Sequence, residues 1–229
     1  MSVPQVLFLV SSARELTFVD GSTQATGYCV DEARTAFDRF TEAGVDILVA
    51  TADGEPPFAD PAGSARMPDL PGFHRPVNLA ELTDARIAEF DAVLVPGGHG
   101  AMVDLADNPD AGRVLRILQE KNAPIVSLSH GAAFLLSAPA NSEGQWLFDG
   151  YRLTSFTDDE ESWTPQGKAG PQWWLETALK GAGAVFDKAP TAGATHVVVD
   201  RNLITAQNPA SAGAAVEALL TALTDRRGQ

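Results

Sequence analysis

Ser129, His130 and Gly131 stand side by side between two apolar stretches in IVSLSHGAAFLL, residues 125–136. The first stretch reads as a buried strand and the second as a helix, so the serine falls on the turn between them. Open α/β sheets gather their chemistry at such turns, at the carboxyl ends of the strands. The turn is also a helix N-terminus, whose N–H groups and dipole favour negative charge. A hydroxyl placed there can act as a nucleophile, the adjacent imidazole as its base, and backbone amides as an oxyanion hole. A second glycine-rich turn, in VLVPGGHGAMVDL, puts Gly97, Gly98, His99 and Gly100 at the end of another apolar run. Local sequence supports a plainer reading equally well: serine is a good N-cap, and Ser129 with His130 would then only start a helix.

The elements that must position these residues alternate between strand and helix patterns. Apolar runs at 6–10, 46–50, 92–96 and 124–128 are bounded by turn residues and read as buried parallel strands. A helix is expected near 29–43, with Val30, Ala33, Phe37 and Phe40 on one face and Gly44 as its stop. Further helices are expected over 108–122, 171–183 and 211–225. THVVVDRNLITA (195–206) and WLFDGYRLTSF (146–156) each read as an antiparallel hairpin, the second turning at Asp149-Gly150. The stretch from Gly54 to Pro76 is rich in Pro, Gly and Asp and is expected to be a long surface loop, with His74 an ordinary loop histidine. The alternation predicts an α/β fold with a doubly wound, mostly parallel sheet plus a small hairpin or loop insertion, spanning residues 1–229 as one domain.

Bulk properties narrow the function classes. The formal charge is −14, from 16 Lys and Arg against 30 Asp and Glu. Such a surface repels phosphate backbones and anionic lipid, so neither nucleic acid nor a membrane surface is an expected partner. One cysteine, Cys29, permits no internal disulfide, which points to a reducing compartment. The start MSVPQVLFLVSS lacks a basic segment and reads as a first strand rather than a signal peptide. A cytoplasmic location is therefore expected. No His, Cys, Asp or Glu spacing along the chain suggests a metal site, and no cofactor is expected.

The local pattern at Ser129 is S-x-S-x-G, close to the G-x-S-x-G elbow of α/β-hydrolases, but those enzymes carry their histidine far downstream. Five segments taken together point elsewhere: TGYCVDEARTAF, PGGHGAMVDL, SHGAAFLL, TSFTDDEESW and LITAQNPASA, in that order along nearly the whole chain. With them the chain resembles the ThiJ/PfpI superfamily, the family of the parkinsonism-associated deglycase, and within it the heat-shock chaperone and glyoxalase III branch. That resemblance implies a flavodoxin-like three-layer sandwich of the class I glutamine amidotransferase type. It implies a small-molecule carbonyl substrate, an α-oxoaldehyde converted to a 2-hydroxy acid without a cofactor, and a homodimer. The family's elbow reads Cys-His-Gly with cysteine as nucleophile; here that position is Ser129. By the same resemblance His130 is the catalytic histidine, Glu32 the acid that touches the nucleophile and shuttles protons, and Glu161 the group that orients the histidine. The run Asp158-Asp159-Glu160-Glu161 leaves Glu160 open for that last role. Gly98 and the Gly131 amide would form the oxyanion hole, and Gly97, His99 and Trp163 are possible pocket residues.

Serine changes the expected chemistry, because a hydroxyl is not ionised at neutral pH and needs a base during attack. Several accounts stand open at this point. Ser129 is an engineered stand-in for cysteine, or a natural serine carrying altered chemistry such as hydrolysis or hydration. Otherwise the pocket binds a metabolite without turnover, or belongs to a holdase chaperone.

Overall fold

The computed structural model describes residues 3–61 and 70–228. Its centre is a seven-stranded sheet built from β1 (Gln5–Leu9), β4 (Asp46–Thr51), β5 (Val77–Asn78), β6 (Ala92–Val95), β7 (Ile125–Leu128), β10 (Val197–Asp200) and β11 (Leu203–Ala206). The order is β10-β11-β7-β6-β1-β4-β5, parallel throughout except for the antiparallel β10–β11 pair at one edge. Residues 195–206 thus form the expected hairpin.

The continuous apolar strands are explained by burial on both faces. Alternate residues of β1 feed two different cores. Val6 and Phe8 pack with Val30, Ala33, Phe37 and Phe40 of α1 (Val30–Glu42) and with Val216 and Leu219 of α8 (Ala212–Gly228). Leu7 and Leu9 pack on the other face, with Ile87 of α2 (Asp84–Glu89), Met102 of α3 (Ala101–Asp104) and Val114 of α4 (Pro109–Glu120). Leu179 of α7 (Leu175–Ala182) joins that second layer. The result is the helix–sheet–helix sandwich that the alternation predicts.

Three expectations about elements are corrected. Residues 146–156 do not form a hairpin. The chain turns at Gly150, but β8 (Arg152–Leu153) pairs in parallel with β9 (Val185–Phe186). The other intended arm is committed elsewhere: Phe148 is fully buried, and the Trp146 indole donates to the Leu135 carbonyl. The helix expected over 171–183 begins only at Leu175, because Pro171 pairs with Phe18 and holds the chain extended. The loop after β4 is more than surface. Phe58 and Asp60 hydrogen-bond to the Tyr28 backbone, while Leu70 and Phe73 are buried; residues 62–69 of that stretch lie outside the described part. A small antiparallel hairpin, β2 (Glu15–Thr17) with β3 (Thr23–Ala25), stands apart from the main sheet.

Candidate active site

The site sits beyond the carboxyl ends of β6 and β7, two adjacent central strands. At the end of β7 the chain turns sharply into a 3-10 helix over Ser129–Ser137. Ser129 takes the turn with φ +53°, in the left-handed region that side chains other than glycine rarely adopt. Holding a residue there costs about 1–3 kcal/mol, which the surrounding packing must offset. Glycine makes that packing possible. A side-chain carbon on Gly131 would lie 2.5 Å from the Val95 carbonyl oxygen and 2.7 Å from that of Pro96. One on Gly97 would lie 2.5 Å from Glu32 Oε2 and 2.8 Å from Ser129 Cβ. Gly97 is therefore the floor on which the serine and the glutamate are brought together.

The partner of His130 comes from α5 (Asp158–Glu161). Thr157 caps this short helix, in a reciprocal box with Glu160. Glu160 is held further by Gly193 N–H and the Asn208 side chain, so its role is structural. Glu161, the next residue, points the other way: its Oε2 lies 2.6 Å from His130 Nε2. Of the two acids, the cap takes up Glu160 and Glu161 is the one in contact with His130. Glu161 also meets a second histidine, with His99 Nε2 at 2.9 Å from Oε1. The other edge of that ring, Nδ1, lies 3.8 Å from Asp60 Oδ2. The two imidazoles stack with centroids 3.9 Å apart, and Phe156 covers the far face of His130 at 4.4 Å.

This arrangement sets the charges. Burial between His99 and Phe156 disfavours a positive charge on His130, and the neighbouring His99 adds to that, so His130 is held neutral. Burial also opposes charge on His99, but the neighbouring carboxylates of Asp60 and Glu161 outweigh it and keep His99 protonated. Burial pushes the Glu161 carboxyl up, yet the hydrogen bonds from His130 and His99 hold it well below the usual carboxylate range. A neutral imidazole backed by an ionised carboxylate is an oriented general base.

Glu32 lies in the first turn of α1, buried to 0% exposure, and its Oε2 accepts a hydrogen bond from Gly97 N–H at 2.5 Å. Its other oxygen has no hydrogen-bond partner among the described residues. Burial pushes its carboxyl up to about 8, only partly countered by the Gly97 bond. At neutral pH it is mostly a protonated acid. The expected hydrogen bond between Glu32 and the Ser129 hydroxyl is not formed; the carboxyl turns to the Gly97 amide beside the serine instead.

A cavity of about 150 Å³ opens over the serine, lined by Cys29, Asp60, Gly98, His99, Ser129, His130, Phe156, Thr164 and Pro209. Of the residues expected at the site, Ser129, His130, His99 and Gly98 line it directly. Glu161 stands behind the histidines, while Gly97 and Glu32 lie beneath. Gly131 packs against Val95 and Pro96. Trp163 is 63% exposed and lines a neighbouring cavity of about 240 Å³ with Phe156, Glu160 and Pro209. Cys29 is half-buried in the cavity wall. Burial, followed by the nearby Glu32 charge, pushes its thiol far above the ordinary range, so it stays protonated. Sequence reasoning undervalued His99 and missed Asp60. Asp60 lies in a loop with no motif, and only its pairing with the Tyr28 backbone carries it to the site.

The sequence profile described as "DJ-1/PfpI family" matches residues 27–222. The human glutamine amidotransferase-like class 1 domain-containing protein 1 is 34% identical over 222 residues, covering 95% of this chain and 93% of the human protein. The protein/nucleic acid deglycase HchA of Pseudomonas aeruginosa strain UCBPP-PA14 is 31% identical over 228 residues, covering 90% of this chain and 76% of its own. Among solved structures, that of APC35852 superimposes with a TM-score of 0.84 at 29% identity, over 98% of this chain and all of the other. Glyoxalase III from Candida albicans gives a TM-score of 0.80 at 20% identity, over 96% and 97%, and shares the fold.

Proposed function

Because the chain belongs to the DJ-1/PfpI family, we propose that it acts on a small reactive carbonyl compound, an α-oxoaldehyde, with Ser129 as the nucleophile. The observation that carries this reading is Ser129 itself. It is held at φ +53° in the wall of a cavity of about 150 Å³, beside a neutral His130 oriented by Glu161. A capping serine would not require a left-handed backbone. The cavity holds roughly five water volumes at ~30 Å³ each, room for a substrate of a few carbon atoms.

The chemistry follows from the charges. The serine hydroxyl attacks the aldehyde carbon and its proton passes to the His130 imidazole. His130 returns that proton to the aldehyde oxygen, leaving a hemiacetal. Ionised Glu32 then takes the hydrogen from that carbon and delivers it to the adjacent carbon, while the hemiacetal hydroxyl gives up its proton, becoming the ester carbonyl, and the ketone oxygen takes that proton up through His130. The product is an ester of a 2-hydroxy acid on Ser129. Water cleaves the ester, and the acid leaves with serine restored; no external oxidant or reductant is needed. Gly98 lines the cavity with Ser129, and in this reading its amide holds the developing oxyanion, one such donor being typically worth about 10² to 10³ in rate.

The test is loss of methylglyoxal with detection of D- and L-lactate. It is run on the protein as it stands, on Ser129→Cys, and on Ser129→Cys combined with Glu32→Gln. Ser129→Cys should create or raise turnover, since only nucleophile ionisation is improved. Adding Glu32→Gln should abolish the gain, because general acid–base catalysis contributes roughly 10² to 10⁴ and an amide cannot perform it. No turnover in a folded Ser129→Cys protein would overturn the α-oxoaldehyde reading and leave a serine hydrolase or hydratase using the same His130–Glu161 pair.

A further inference from the structure

One carboxylate and one histidine are enough to orient a base, yet two imidazoles converge on Glu161. His99 Nε2 and His130 Nε2 both point at its carboxylate, at 2.9 and 2.6 Å. The second histidine is surplus to the proton chemistry proposed above. The three side chains come from three separate segments, after β6, after β7 and at the end of α5. All three are buried, and their donor atoms lie within 4.8 Å of one another. We propose that His99, His130 and Glu161 form a site for a divalent transition-metal ion of the zinc class.

The geometry fits such an ion with little movement. Zinc binds imidazole nitrogen and carboxylate oxygen at about 2.1 Å, which places tetrahedral ligands roughly 3.4 Å apart. The two histidine–carboxylate separations, 2.9 and 2.6 Å, would open by under an ångström as a shared cation replaces each hydrogen bond, and all the donor atoms already lie within 4.8 Å of one another. Imidazole and carboxylate together suit zinc and its neighbours rather than calcium or magnesium, which prefer oxygen alone. His99 also carries the outer partner that metal-binding histidines usually have. Its Nδ1 edge faces Asp60 Oδ2, 3.8 Å away, on the side opposite the proposed ion. Two of the three ligands, His99 and His130, line the cavity beside Ser129, from which water or a ligand atom could complete the coordination. The inference does not depend on the reaction proposed for Ser129. An ion in this site would engage the groups that orient His130, so metal uptake and serine-based turnover would exclude one another.

The test uses the full chain stripped of metal with a chelator, then titrated with zinc in a calorimeter. One equivalent should bind and raise the melting temperature. His99→Gln and Glu161→Gln, each checked for fold by circular dichroism, should both lose this binding. Asp60→Asn should weaken it by roughly ten- to a hundredfold, as loss of an outer partner does. Cys29→Ser should leave it unchanged, which separates this donor set from a thiolate site in the same cavity. Nitrogen NMR of the unaltered protein keeps the proposal testable even if a variant fails to fold: the His99 and His130 Nε2 resonances must both shift on zinc addition. Absence of stoichiometric uptake, unmoved ring resonances, or binding that survives His99→Gln in a folded protein would overturn the proposal and mark any residual uptake as adventitious binding to the acidic surface.

Discussion

Replacing Glu32 by glutamine should stabilise the protein at neutral and alkaline pH while leaving its stability in weak acid nearly unchanged. The perturbation is minimal, because glutamine has the shape of a protonated glutamate and can still accept the Gly97 N–H bond. The magnitude follows from linkage. In the unfolded chain the carboxyl titrates at its ordinary value of 4.5, and in the fold burial raises it to about 8. Between those limits the folded state holds a proton that the unfolded state has lost, so stability falls as pH rises. The slope is about 1.4 kcal/mol per pH unit. The wild type therefore loses roughly 3 kcal/mol relative to the variant by pH 7, and about 5 once pH passes the folded value. Glu32 is wholly buried, so solvent does not screen the effect. The assay is urea unfolding of both proteins from pH 5 to pH 9, taking the difference at each pH so that other titrating groups cancel. A difference that stays flat with pH, or one that favours the wild type as pH rises, would refute the claim that this carboxyl is kept protonated by burial. The same titration predicts turnover. If ionised Glu32 takes the carbon-bound hydrogen, kcat/KM should rise with pH through about 8.

Three more outcomes are expected, two of them from the same geometry. Ser129→Gly should raise stability by about 1 kcal/mol by relieving the φ of +53°, while abolishing any turnover, as unfolding curves and the methylglyoxal assay together would show. Gly131→Ala should destabilise by several kcal/mol, since its new carbon would sit 2.5 Å from the Val95 carbonyl oxygen; a melting temperature equal to the parent's would contradict the close packing of the elbow on β6. In solution the chain is expected to be a homodimer, two-fold assemblies being the commonest kind; light scattering that gives a monomer at micromolar concentration would count against it.

The sequence by itself determined the architecture and the place of the site. Largely apolar runs of five residues without polar alternation call for burial on both faces, which a sheet covered on two sides supplies. The glycines after His130 and after Pro96 located the two turns where chemistry collects. Of the positions matched by motif, His130 and Glu161 are hydrogen-bonded neighbours, and Glu32 lies against the Gly97 amide beneath Ser129. No sequence pattern could separate Glu160 from Glu161, because both are acids on one turn; the Thr157 cap and the Asn208 contact decided it. His99 looked like a turn residue until folding placed it on Glu161, and Asp60 carried no signal in a loop without a motif. The supposed hairpin at 146–156 failed for the same reason: strand pairing is chosen by which partner the rest of the chain delivers, and the fold sets residues 185–186 beside 152–153. Charge states, too, belong to the fold alone. A glutamate reads as an anion in any sequence, and only complete removal from water, which the Gly97 amide offsets in part, makes Glu32 an acid that keeps its proton at neutral pH.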